Sequence, residues 1–171
     1  DHTIIFCNFE ALKRVMKKFI PRNIIIILSG LILFLLSCTP ESCFEETESF
    51  LKASFYNTTT KKLQAPDSVT IYGLNMETNK LYNKIRNVQR ALLPLNIATG
   101  NCVYIIKING ITDTVEFRYS SYPHLLSKEC GYTFYHNLDT DRVFTKHAIV
   151  NINFSKRNIT TINEENIRIF Y

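Results

Sequence analysis

An antiparallel two-sheet β-sandwich is the architecture that this 171-residue sequence predicts. Three observations predict it. From Ser49 onward apolar and polar residues alternate with period two, as they do on a strand with one buried face. Nowhere in that stretch does a helical period persist. Asn109-Gly110 lies between two strand-like runs, Cys102–Ile108 and Ile111–Tyr119, and both turn residues tolerate the positive φ of a type I′ hairpin.

The chain ahead of the sandwich reads as an address. From Met16 it runs Met-Lys-Lys-Phe-Ile-Pro-Arg, then a 13-residue apolar run from Ile24 to Leu36, then Ser37-Cys38. A cationic start, a short apolar run and a small residue before a cleavage point are the parts of a secretory signal peptide, assigned here to residues 16–37. Thirteen helical residues cover about 20 Å, short of the ~30 Å hydrocarbon core, which argues against a permanent span. Residues 1–15 begin with Asp1 and precede Met16, and they are read as an upstream or artefactual extension. Leu35-Leu36-Ser37-Cys38 resembles the bacterial lipobox. That resemblance implies cleavage after Ser37 and lipidation of Cys38, whose several acyl chains (palmitate among them) would give a stable membrane anchor. Residues 38–48 form an acidic tether with Glu41, Glu45, Glu46 and Glu48. The tether resembles, loosely, the surface-export signals of some Bacteroidota lipoproteins, and reads equally well as a solvated linker.

Residues 49–171 then supply the sandwich. Leu51, Ala53 and Phe55 alternate with Lys52, Ser54 and Tyr56, and Val69 and Ile71 alternate with Thr70 and Tyr72. Weaker runs follow at Leu81–Ile85 and Val88–Leu93, with Pro94 pushing the second towards a sheet edge. After the Asn-Gly hairpin come Tyr132–His136, His147–Phe154 and Asn166–Tyr171. Seven or so short strands in this length fit an immunoglobulin-like sandwich, with a small barrel as the alternative. A domain of this size buries about two-thirds of its unfolded surface, enough for a core without metal. The last strand runs to the final residue, so edge pairing with another chain is an expected docking mode.

The net charge of +5 is concentrated in the leader. Five of the 20 Lys and Arg residues and two of the 15 Asp and Glu residues precede Cys38, leaving 15 basic and 13 acidic residues in the 134 that follow. A charge of +2 removes the case for nucleic-acid binding. Setting aside Cys7 and lipidated Cys38 leaves Cys43, Cys102 and Cys130, which outside the cytoplasm permit one disulfide among three pairings. Cys43–Cys130 is favoured, because it would fasten the tether to the sandwich and close a long loop worth about 4 kcal/mol or a little more.

Motifs for chemistry are sparse. No phosphate loop, His-Glu-x-x-His or Gly-x-Ser-x-Gly is present, so neither an enzyme nor a cofactor is expected. His136, Asp139, Asp141 and His147 match no known metal spacing, and Asn137–Asp141 reads as a polar turn between strands. Tyr119-Ser-Ser-Tyr122-Pro-His124 reads as an aromatic connection whose Tyr119 and Tyr122 could stack on a sugar ring. Asp67-Ser68-Val69 and Asp113-Thr114-Val115 resemble the Asp-Ser/Thr-apolar O-glycosylation pattern of Bacteroidota secreted proteins, on Ser68 and Thr114.

Five segments carry a wider resemblance: Asp67–Gly73, Ala91–Leu95, Asn109–Thr114, Ser127–Gly131 and Asn163–Tyr171. Together they resemble a family of small Bacteroidales lipoproteins known as a domain of unknown function. The resemblance implies an outer-membrane lipoprotein, on its periplasmic or surface face, with one β-rich domain and no established catalytic residues. It also implies a partner, an outer-membrane barrel protein. An accessory or structural envelope role is therefore expected first, and a glycan- or other ligand-binding module second.

Overall fold

A computed structural model of the chain describes residues 43–171. The extension at 1–15, the signal peptide at 16–37 and the lipidation residue Cys38 lie outside the described residues. Among those described there is no helix, and ten strands form two sheets. In chain order they are β1 (Leu51–Tyr56), β2 (Val69–Gly73), β3 (Tyr82–Ile85), β4 (Arg90–Leu93) and β5 (Asn101–Ile108). β6 (Ile111–Ser127), β7 (Gly131–Phe144), β8 (Asn151–Phe154), β9 (Asn158–Ile159) and β10 (Ile167–Phe170) follow. The four-stranded sheet has the order β4-β1-β10-β8 and the six-stranded sheet the order β3-β2-β5-β6-β7-β9. Apolar residues from both sheets, among them Phe55, Leu93, Ile106, Phe117, Ile152 and Ile169, share one buried core. The all-β sandwich is thus the observed architecture.

The pairing is antiparallel with one exception. β1 and β10, the first and last strands, lie parallel in register Ala53↔Ile167 to Tyr56↔Phe170. β10 therefore sits inside its sheet, flanked by β1 and β8, and offers no free edge to another chain. The expected C-terminal edge is corrected because its ladder groups are already used on both sides. β4 does lie at an edge, where Pro94 ends it. β1 is buried on both faces, since the return segment before β10 covers its outer side. There Lys52 Nζ donates to the Thr160 carbonyl at 3.0 Å, and Arg90 reaches Ser54 and Asn163. Burial, reinforced by nearby Arg90, lowers the pKa of Lys52, while Glu46 and Glu164 pull it back up.

The β5–β6 turn has the expected form: Asn109 at φ 50° and Gly110 at φ 89°, with Ile108 opposite Ile111. Two other segments differ from expectation. Tyr119–His124 is no connection but the middle of β6, paired residue by residue with β7 from Tyr119↔Leu138 to Leu125↔Tyr132. Nor is Asn137–Asp141 a turn. Phe117 pairs with Arg142 and Tyr119 with Leu138, so Asp139, Thr140 and Asp141 all stand opposite Arg118 alone. The polar triplet is a bulge, which lets β7 absorb extra residues without leaving the sheet.

Asp113 fastens the end of this long hairpin. Its carboxylate is fully buried and accepts hydrogen bonds from Thr145 Oγ1, from the backbone N–H of His147, Ala148 and Ile149, and from His147 Nδ1, at 2.6–3.0 Å. Burial by itself would raise its pKa, but the donors from Thr145, Ile149, His147 and Ala148 outweigh it and hold the group at about 2.

Two outcomes test this framework. Gly110→Ala meets no atom within 4 Å, so its cost is conformational, about 1–2 kcal/mol in urea unfolding, from forcing a Cβ into positive φ. The depressed pKa of Asp113 stabilises the fold above the unfolded carboxylate value, and that contribution is lost as pH falls from about 4 towards about 2. It amounts to about 2 kcal/mol of acid-sensitive stability. Asp113→Asn turns an amide N–H towards donors, and is expected to cost about 2–4 kcal/mol at pH 7 and flatten the acid limb of the stability–pH curve.

Candidate functional site

The most structured surface feature is the crossing from β4 in one sheet to β5 in the other. Pro94 ends β4, and the chain must pass over the side of the sandwich with its backbone groups unpaired by any ladder. Two tyrosines from beneath satisfy them. The Tyr104 hydroxyl donates to the Pro94 carbonyl. The Tyr119 hydroxyl donates to the Asn96 carbonyl and accepts from the Asn96 N–H, each at 2.9 Å. Cys102 Sγ lies 3.0 Å from the same oxygen and 3.4 Å from the Asn96 nitrogen. Burial pushes both phenols up, Tyr104 further by proximity to Cys102 and Tyr119, Tyr119 further by its hydrogen bond to Cys102. Both remain protonated donors at neutral pH.

A groove opens on each side of this crossing, and Leu95 belongs to both. The first, of about 430 Å³, lies between the β2–β3 turn and β5 and is walled by Leu74, Met76, Leu81, Leu95, Cys102 and Tyr104. Leu74, Met76 and Leu81 are large apolar residues left substantially exposed. β3, which begins one residue after Leu81, is an edge strand paired only with β2. The second, of about 370 Å³, lies between residues 47–50 and the start of β7, with Phe50, Ile97, Tyr132 and Phe134 in its walls. His136 lies at its base, with Nδ1 2.8 Å from Ser121 Oγ, and burial lowers its pKa so that the ring is neutral. The walls of the first groove suit an apolar segment rather than a charged substrate, while Thr47, Glu48, Ser49 and Thr133 make the second more polar.

The residues singled out from the sequence are distributed as follows. Tyr119 is 3% exposed and its hydroxyl is committed to Asn96, so it is withdrawn as a ligand contact. Strand alternation sends Tyr122 to the opposite face, where it packs on Tyr135 and donates to Asn158 Oδ1. The two are not brought together. His136 and His147 are engaged separately, by Ser121 and by Asp113. Among the described residues no three His, Cys, Asp or Glu side chains converge as a metal-binding group. Ser68 is half-buried just before β2, with its backbone bonded both ways to Asn109, while Thr114 is half-buried within β6. Asp67 is exposed and Asp113 is not, so only the first triplet presents its acid to solvent. Cys43 and Cys130 form a disulfide, with S–S 1.97 Å and Cα–Cα 4.8 Å, and Cys102 is a free thiol.

Asn96, Tyr104 and the two grooves were not foreseen, because the tyrosines act on backbone groups that carry no sequence label. Pro94 was the one available clue, since a strand ended by proline must hand its chain to something else. The clamp predicts that Tyr104→Phe and Tyr119→Phe each cost about 1–3 kcal/mol, by leaving connector groups unsatisfied. Hydrogen exchange at the Asn96 amide should accelerate in the Tyr119→Phe protein and stay near wild type in Tyr104→Phe.

No curated protein and no solved structure matches this chain. A family match does exist, and it begins at Ser68, one residue before β2, leaving β1 and Cys43 outside its bounds although β1 is central to a sheet. It covers residues 68–171, more than half of the sequence, and on that match the chain belongs to the family of unknown function DUF6452.

Proposed function

We propose that this is a lipid-anchored protein of the Bacteroidota outer membrane, exported by the signal peptide at 16–37, held by lipidated Cys38, and serving a non-enzymatic, accessory role by docking on a membrane partner. The observation that carries it is the Cys43–Cys130 disulfide. It joins the sandwich to a point five residues after Cys38, and such a bond persists outside the reducing cytoplasm. A covalent clamp at that position serves a domain held to a surface by its N-terminus. Docking is supported by the first groove, whose exposed Leu74, Met76 and Leu81 lie beside the edge strand β3. A barrel protein of the outer membrane is the class of partner that fits such an anchor. The glycan-binding alternative has lost the paired tyrosines on which it rested.

Expression in a Gram-negative host with a clickable palmitate analogue tests the anchor. The wild-type chain should be labelled and sediment with membranes, and Cys38→Ala should be unlabelled. An unlabelled wild-type chain overturns the proposal. With a photo-crosslinking residue at Leu74, the labelled form should yield one stoichiometric envelope adduct, and a smear of unrelated adducts or none would remove the docking role.

A further inference from the structure

The disulfide also fixes the point at which the N-terminal segment joins the sandwich. Residues 43–49 run alongside the start of β7: Cys43 is bonded to Cys130, Thr133 Oγ1 donates to the Thr47 carbonyl at 2.6 Å, and Ser49 Oγ donates to the Phe134 carbonyl. The N-terminal segment is therefore fastened at the tip of the β6–β7 hairpin, at the turn between Ser127 and Gly131. Cys38 lies five residues before Cys43, a reach of at most about 17 Å. Without the bond the next fixed point would be Thr47, nine residues and about 30 Å from Cys38. On the shorter leash the tip cannot leave the neighbourhood of the headgroups, which form a layer about 5–8 Å deep on each side of the hydrocarbon.

That tip carries an unusual surface. Phe44 is 93% exposed and Tyr132 is 73% exposed. Leu125, also exposed, is the cross-strand partner of Tyr132, so the two lie side by side on one face of the hairpin. Aromatic side chains of this kind are favoured at the membrane–water interface. The charges nearby are mainly acidic, with Glu45, Glu46, Glu48 and Glu129 against Lys128, and all are exposed. The surface is thus suited to apolar insertion and not to electrostatic attraction by anionic lipid.

We infer that Phe44, Leu125 and Tyr132 form a bilayer-contacting tip that inserts among the headgroups of the leaflet holding Cys38, and so stands the sandwich with its β6–β7 hairpin down. The inference rests on the lipid anchor proposed above. In this orientation the Asn109-Gly110 turn, at the other end of β6, points away from the membrane.

The chain contains no tryptophan, so one can be introduced as a unique reporter. Tyr132→Trp and, at the opposite end of β6, Ile111→Trp would be made in the full lipidated chain and placed in phosphatidylcholine vesicles containing brominated lipid. Circular dichroism and thermal unfolding matched to wild type would establish that each variant is folded. The Tyr132→Trp emission should shift to the blue and be quenched about twofold or more beyond that of Ile111→Trp, as expected for an interfacial indole. Adding Cys43→Ser and Cys130→Ser together should abolish that difference while the protein stays on the vesicles. Equal quenching at the two positions, or none at 132 in a vesicle-bound protein, overturns the tip and leaves the anchor standing. Protection at 132 that appears only when envelope proteins are added would assign the tip to a protein partner and overturn the membrane contact. A chain that never acquires lipid or binds vesicles defeats the anchor itself.

Discussion

The fold depends on one residue's ability to join the first and last strands. Asn166 is buried, and its side-chain oxygen accepts from the Lys52 N–H at 2.9 Å while its amide donates to the carbonyls of Lys156 and Asn158. Its own N–H reaches the Lys52 carbonyl, and its carbonyl accepts from Ser155 and Lys156. A single side chain thus sets β1, the turn after β8 and the start of β10 in one arrangement. Only with β10 placed this way can it run parallel to β1 and occupy the centre of the four-stranded sheet. β8 then has a strand to pair with beyond the β4–β1 pair, and the core between the sheets is closed. Parallel pairing of the first and last strands is a slow contact to find, because a long loop must close before any hydrogen bond forms.

The second sheet is organised around a different problem, the length of the β6–β7 hairpin. Such strands accumulate twist, and the bulge opposite Arg118 relieves the mismatch between them. Asp113 secures the chain where β7 departs, and the Cys43–Cys130 bond secures it at the tip. Between those two fixed ends, Tyr119 and Tyr104 hold the crossing from one sheet to the other.

Strands with strong local signals were legible in advance. The Asn109-Gly110 turn, the alternation in β1 and β2, and the edge position of β4 before Pro94 all rest on residues within a few positions of one another. Polar or aromatic stretches were harder. Asn137–Asp141 has the composition of a turn, yet a bulge and a turn use the same residues, and only the partner strand distinguishes them. Tyr119 seemed an exposed aromatic because nothing near it in sequence reveals that Asn96 takes its hydroxyl. Of the candidate site, the sequence marked Pro94 and little else. The grooves are made of residues whose separation along the chain exceeds any local pattern.

By itself the sequence determined that residues 49–171 are built of strands, where their best hairpin turns, and that most of the net positive charge lies ahead of them. These follow from side-chain period, backbone preference and composition, which act over a few residues. Tertiary structure alone decided that the last strand is central and not an edge, and that a buried aspartate closes the long hairpin. Cys43–Cys130 is the pairing the sequence favours, but only the tertiary structure puts that bond at the tip of β6–β7. Each of those depends on hydrogen bonds or a covalent bond between residues tens of positions apart or more, and such partners exist only after the chain has been brought together.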